Sequence, residues 1–336
     1  MTTNTDNNIS IIGREEPSEL MHYTNASGLK GILESQTLWA TNALFLNDSE
    51  EIKLFLDERL PDLVKRVSIE GNLSGKIDEN NVNTTLRNLM LNDAPPYISS
   101  MCSPVDKRTQ QHGLLSQWRG YGRDGGYALV FDREKLFERF QNEEHTFQYL
   151  HIDGGDDCYY DKNLPTLNFL QTDNLLKLEI QFIDELINWI KKGPNIDRQL
   201  IIYKSLTLLS CLYKHIGFQE EQEFRMFAIP VNLKNRLILE ADESATEAHA
   251  AIIKNEISSK AEKKHKIFLR DGCPVPYIEL LEQPLDIQKR INLPIKRIIV
   301  GPNSNKLQRK KAVELMLSEL GIDAKVVVSD IPYIGS

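Results

Sequence analysis

Leu115-Ser116-Gln117-Trp118-Arg119-Gly120-Tyr121-Gly122-Arg123-Asp124-Gly125-Gly126 runs directly into Tyr127-Ala128-Leu129-Val130-Phe131-Asp132. The glycines mark the first part as a loop, and the apolar run after it reads as a buried strand. As a string, Gly120-x-Gly122-x-x-Gly125 matches the dinucleotide fingerprint. That motif requires a strand before it and a helix after it, so that the pyrophosphate meets a helix N-terminus; here a strand follows. A kinase glycine-rich loop does precede a strand, but no V-A-I-K, H-R-D or D-F-G accompanies it. Two readings stay open. Either the glycines form a tight turn with Trp118 as a core anchor, or the backbone here approaches a ligand, with Arg119 as its anion clamp.

Working outward, strands and helices alternate without a regular βαβ rhythm, which points to an α+β fold. Leu20–Thr24, Leu38–Thr41, Tyr97–Cys102, Glu223–Ile229, Lys266–Leu269, Tyr277–Leu280, Ile295–Val300 and Ala324–Val328 read as strands. Asn25 or Ser27 caps a helix running to about Glu34, and Asn47-Asp48-Ser49 opens another toward Arg66. Residues 71–83 form a loop, with a further helix ending near Asn92. Short charged residues 133–141 form a helix, and 148–161 carry β-type residues around an Asp-Gly-Gly-Asp-Asp turn. Residues 241–264 are helical or flexible, and 305–320 form a helix. Residues 1–17 are polar and expected to be mobile. Residues 18–330 form one domain, with a helical insertion at about 165–216 that breaks at Gly193-Pro194. The default reading of that insertion is a lid or packing layer; it could equally bind a regulatory partner or antitoxin.

Composition narrows the function. A chain of 336 residues with 41% hydrophobic residues can bury a full core. A net charge of -8 provides no global basic field for nucleic acid or anionic membranes. The longest apolar runs fall short of a membrane span, and the polar start lacks a signal-peptide core. The four cysteines are widely spaced without a C-x-x-C pair, so they read as free thiols of a cytoplasmic protein rather than a zinc or disulfide framework. Asp153, Asp156 and Asp157 lack the oxygen spacing of a calcium loop and read as a polar turn, so no metal is expected.

Two other groups of residues carry chemistry. His22 and Tyr23 occupy a short strand and point to opposite faces. Glu221, Glu223 and Arg225 are spaced by two, so that on a strand they share one face: either a solvated edge or two carboxylates in a cleft beside an arginine that keeps them ionised.

Together, His22-Tyr23-Thr24, Leu38-Trp39-Ala40-Thr41-Asn42, Phe45-Leu46-Asn47-Asp48, Leu115 to Gly122, Glu221-x-Glu223-Phe224-Arg225 and Ile299-Val300-Gly301-Pro302 resemble a bacterial domain-of-unknown-function family, numbered 2971, over about residues 20–328. That family is similar in turn to ADP-ribosyltransferases of the histidine-tyrosine-glutamate type. The resemblance implies a split, mixed/antiparallel β-sheet core with helical insertions, and an enzyme that uses NAD as a substrate. It would transfer ADP-ribose to a protein or nucleic-acid acceptor or hydrolyse NAD, in a toxin or phage-defence setting. By resemblance, Glu223 stabilises the positive charge that develops on the ribose, and Glu221 orients the acceptor. His22 binds the adenosine-side ribose, Tyr121 or Tyr127 stacks on nicotinamide, and Arg119 neutralises the diphosphate, with Tyr23, Thr24 and Trp118 also near the cofactor. A non-catalytic nucleotide- or partner-binding module is the alternative of another class. An NAD-using RNA 2′-phosphotransferase is a third reading; it would be expected to carry a more basic surface.

Overall fold

The computed structural model describes residues 17–46, 50–121, 125–160, 169–193, 196–231, 259–283 and 291–332. Residues 1–16 of the expected mobile N-terminal segment, the Asn47–Ser49 cap, Gly122–Asp124 and most of 241–264 lie outside them.

In chain order the elements are β1 (Glu19–Thr24), α1 (Ala26–Ser35), β2 (Leu38–Asn42), α2 (Glu50–Leu54), a π-helical turn (Phe55–Arg59), α3 (Leu60–Glu70) and α4 (Glu79–Asn88). Next come β3 (Tyr97–Cys102), α5 (Lys107–His112), α6 (Leu115–Tyr121), β4 (Tyr127–Asp132), α7 (Arg133–Thr146), β5 (Tyr149–Asp157) and β6 (Tyr159–Tyr160). The chain continues through α8 (Phe169–Lys192), α9 (Ile196–Leu212), β7 (Tyr213–Lys214), a 3₁₀ turn (Ile216–Glu221) and β8 (Glu223–Pro230). Last are β9 (Lys266–Arg270), β10 (Cys273–Leu280), β11 (Ile295–Val300), α10 (Lys306–Leu320) and β12 (Lys325–Val328).

Mixed α/β architecture is the result, and its large sheet branches at β3. The main path runs β12-β11-β4-β1-β3-β2-β10-β9, while β8 pairs with β3 and carries β5 on its other side. The β11–β12 pair is parallel and the remaining ladders of this sheet are antiparallel. At one end of β3, Cys102 pairs with Met21 of β1; at the other, Ile98 and Tyr97 pair with Thr41 and Asn42 of β2. Meanwhile β8 follows β3 from Tyr97 to Cys102. β1 and β2 thus leave the same edge of β3 at opposite ends, and a fork opens between them.

Apolar burial on both sides of the sheet holds this shape. One core joins Leu20, Leu129, Phe131 and Ile298 to α1, α7 and α10. A second joins Ile98 and Phe227 to Phe55 and Leu63, and to Phe182, Leu206 and Leu209 of the helical insertion. The expected break at Gly193 falls between α8 and α9. Glu179 on α8 is buried and accepts from Arg59 at 2.9 Å and Arg66 at 3.2 Å. The insertion is therefore a packing layer fastened to the α2–α3 arm. No described helix is long and apolar enough to cross a membrane.

Several expectations need correction. Leu115–Tyr121, expected as a loop, is helix α6. Its Gln117 and Trp118 are buried, and the reward for burying the indole outweighs the weak helix propensity of Gly120. Trp118 is 1% exposed in a small core with Met21, Tyr23 and Val130, and its Nε1–H donates to the carbonyl of His112 at 3.0 Å. Gly125 follows at φ +101°, where a Cβ would meet the carbonyl oxygen of Pro302 at 2.6 Å. The glycine thus lets the α6–β4 connection close against the Gly301-Pro302 turn. The helix expected to end at residue 141 continues to Thr146. The Asp-Gly-Gly-Asp-Asp turn is a bulge within β5: register against β8 shifts between Asp153 and Asp156. At Gly155, φ +102°, a Cβ would meet the Arg225 carbonyl oxygen at 2.2 Å.

Candidate active-site cleft

A cleft of about 710 Å³ lies in the fork of the sheet. β1 provides His22, Tyr23 and Thr24; the first turn of α1 adds Ser27 and Gly28, β2 adds Trp39 and Thr41, and β3 adds Ile98 to Cys102. Gln117 and Tyr121 come from α6, Glu221, Glu223 and Arg225 from the β8 side, and Phe268 to Asp271 from the β9–β10 hairpin.

His22 is half-buried, and its Nδ1 lies 3.1 Å from the carbonyl oxygen of Ser100. Burial lowers its pKa, and the Ser100 contact opposes this only in part. The neutral ring then carries its proton on Nδ1, where a carbonyl can accept it, leaving Nε2 as an acceptor. Thr24 closes the same strand against Gly28 of α1, where a Cβ would meet Thr24 Oγ1 at 2.0 Å. Asn25 caps α1 by accepting from the Gly28 amide at 2.8 Å.

Opposite β1 stands a cluster of charges. Arg225 donates from Nε to Glu223 Oε1 at 2.9 Å and from Nη2 to Oε2 at 3.0 Å. Lys214, 1% exposed at the end of the helical insertion, donates to Glu223 Oε2 at 2.5 Å and Glu221 Oε2 at 2.8 Å. Nη1 of Arg225 is tied to the carbonyl of Cys211 at 2.8 Å, so α9 fixes the arginine as well. Burial alone would raise the Glu223 pKa, but Arg225 and Lys214 overcome it and hold the carboxyl at about 2. Glu223 is therefore ionised at neutral pH. At the back of the cleft, burial and neighbouring carboxylates push the Cys102 thiol far up, which removes it as a thiolate nucleophile.

The sequence expectations divide clearly against this geometry. His22, Tyr23, Thr24, Tyr121, Glu221 and Glu223 all line the cleft. Tyr23 does so with its ring packed on Trp118 at 4.8 Å and its hydroxyl accepting from the Leu114 amide at 2.8 Å, so its side chain is occupied in supporting α6. Trp118 and Tyr127 are buried in the core and do not line the cleft. The expected cofactor contacts of both give way to packing, because each projects from its element into an apolar layer. Arg119 is exposed and also lies outside the lining, one position along α6 from the buried indole. Glu221 and Glu223 do meet, but by another route than a shared strand face. Glu221 ends a 3₁₀ turn, Gln222 adopts a left-handed conformation at φ +48°, and Lys214 draws the two carboxylates together.

Gln117, Trp39 and Arg270 line the cleft, and buried Lys214 lies behind its carboxylates, without having been singled out as site residues in the sequence. An indole on a short strand, in a stretch quoted for the family resemblance, was the available signal for Trp39. Lys214 had none, since a lysine after an apolar helical run ordinarily reaches solvent.

Comparison with known proteins matches residues 117–226 to a family described as protein of unknown function, DUF2971. The match takes in α6 from Gln117 onward and Glu223, whereas β1, β2 and the Gly301-Pro302 turn lie beyond it. No curated protein and no solved structure matches the chain. A domain of the DUF2971 family of unknown function is therefore present at residues 117–226.

Proposed function

We propose that the cleft binds NAD and that the protein is an ADP-ribosyltransferase-like enzyme, passing ADP-ribose to a macromolecular acceptor or to water. The observation that carries this reading is convergence: His22 and Thr24 of β1, Tyr121 of α6 and the Glu221/Glu223 pair line a single cleft. The chemistry asks for those groups. Cleaving the nicotinamide–ribose bond sends its electron pair to the nicotinamide nitrogen and leaves an oxocarbenium-like ribose. A carboxylate that is ionised and fixed in advance stabilises that charge without reorganising, and Glu223 has both properties. Glu221, 21% exposed, is the more accessible carboxylate and suits the proton of the attacking hydroxyl or water. His22 Nε2 accepts from a ribose hydroxyl, and Tyr121, 41% exposed at the rim, offers a ring to nicotinamide. With Arg119 outside the cleft, the first turn of α1 takes over the diphosphate, as a helix N-terminus favours an anion.

One observation favours the non-catalytic reading. Both Glu223 oxygens already accept from cations, and Lys214 and Arg225 formally neutralise the two glutamates. A cleft of that charge suits neutral sugar hydroxyls as well as a developing cation.

Incubation with NAD labelled in the adenylate, with and without cell lysate, tests the proposal through nicotinamide release and label transfer. Wild type is expected to release nicotinamide, and Glu223→Gln to lose about 10²-fold or more. Release by neither protein, with NAD still bound, would leave the binding module as the function.

A further inference from the structure

We propose that the wall of the cleft formed by β2 and the β9–β10 hairpin binds the bases of a short single-stranded nucleic acid, which makes nucleic acid the acceptor class. It rests on the transferase reading only for the word acceptor; the binding surface stands on its own geometry. Three rings from adjacent strands form a platform. Trp39 lies 4.3 Å from Tyr277 at an interplanar angle of 33° and 5.4 Å from Phe268 at 40°, and Phe268 packs edge-on against Tyr277 at 5.7 Å. Tyr277 backs one side of the indole, yet Trp39 remains 43% exposed where it lines the cleft. A rigid aromatic surface supported from behind and open toward a cleft is the arrangement on which bases stack without sequence preference.

Cations interleave with these rings. On β9, Lys266, Phe268 and Arg270 alternate with Ile267 and Leu269, so the three share one face of the strand. The Arg270 guanidinium lies 5.3 Å from the Phe268 ring centre and donates to the carbonyl of Phe45 at 2.8 Å, which holds it beside the platform. Lys266 is paired with Glu279 at 2.6 Å and remains 42% exposed. Exposed Lys264 precedes them. From Lys266 to Arg270 the strand spans about 13 Å at 3.3 Å per residue, enough for more than one phosphate of an extended strand. β9 is the last strand on the main path of the sheet, and Arg270 lines the cleft while Lys264 and Lys266 lie outside its lining, so the row extends beyond the cleft, as a polymer would. Given the net charge of -8, contacts confined to this edge favour a short, salt-sensitive engagement over tracking along a long duplex.

Fluorescence anisotropy of a labelled mixed-sequence oligonucleotide at low salt, without NAD, tests the proposal. Wild type is expected to bind the single strand more tightly than the same sequence as a duplex. Trp39→Ala should weaken binding roughly ten-fold, Trp39→Phe should restore most of it, and Lys264→Glu should weaken it by a smaller factor. Circular dichroism melts of each variant separate lost binding from lost fold. Equal binding by wild type and Trp39→Ala overturns the proposal, as does no binding of the single strand. Quenching by NAD but not by the oligonucleotide of the emission that Trp39→Phe removes also overturns it, by assigning the platform to the dinucleotide. If nicotinamide is released while label passes only to protein, the acceptor is protein and the proposal fails although the transferase reading holds. Oligonucleotide binding without any nicotinamide release leaves the site in place and removes the transferase.

Discussion

Two buried lysines in this protein each bridge two glutamates, with opposite consequences. Lys214 holds Glu221 and Glu223 on the wall of the cleft; Lys263 holds Glu143 at 2.6 Å and Glu282 at 2.8 Å. Both lysine side chains are 1% exposed. Lys214 shares its carboxylate with a second cation, Arg225, and Glu223 titrates at about 2. Around Lys263, Glu143 is fully buried and accepts from the Tyr149 hydroxyl at 2.6 Å and from the Leu281 amide. One lysine does not offset that degree of desolvation, and burial pushes the Glu143 carboxyl up. Beside it, Arg139 donates to the carbonyls of Leu281, Ile291 and Gln36 at 2.7–2.8 Å. These partners are main-chain groups of connecting segments. The Lys263 cluster thus ties chain together, while the Lys214 cluster presents a fixed carboxylate to an open space. An ion pair becomes a site through the second cation and the adjoining cleft; the buried charge by itself is equally suited to a fastening.

The comparison makes its strongest demand on the closed cluster. Lys263→Met should cost about 3–5 kcal/mol, because Glu143 keeps its burial and loses its cation. A chemical-denaturation midpoint close to wild type would show that the cluster is no fastening. The next effect is pH-dependent. Glu223 is depressed from its ordinary 4.5 to about 2, so its stabilisation is fully present above 4.5 and is lost as pH falls toward 2. The shift corresponds to about 3 kcal/mol. Glu223→Gln should therefore flatten the acid limb of stability between pH 4.5 and 2, and an unchanged slope would mean that the carboxylate is not held ionised. The smallest effect belongs to Lys214→Met. Glu223 retains Arg225 and Glu221 can turn toward solvent, so stability should fall by only about 1–3 kcal/mol. Nicotinamide release should fall more steeply than stability, and a loss of stability larger than that of Lys263→Met would reverse the comparison.

Much of the scaffold was legible because its signals are local. The β-branched run of Ile295–Val300, the cap read at Asn25 or Ser27 and the glycine at 193 describe their own segments; the strand and the break stand where they were read, and the cap is Asn25. Leu115–Tyr121 was misread because glycines near its end suggested a loop, while Trp118 was being drawn into a core assembled from β1, β4 and β11. Trp118, for which a core anchor was one of two open readings, and Tyr127 both lie in the core, since an aromatic residue serves a ligand and a core equally well until its neighbours are known.

By itself the sequence determined most of the strands and helices and that the two are mixed, and it singled out His22, Arg119, Tyr121 or Tyr127 and the Glu221/Glu223 pair as groups with chemistry to offer. Only tertiary structure decided that β1 and β2 part at the two ends of β3 and open a cleft between them. The same packing excluded Arg119 from that cleft and buried Lys214 beneath the carboxylates. The reason is physical: periodicity records which face of an element is apolar, whereas the charge state and accessibility of a side chain depend on groups brought to it from distant parts of the chain.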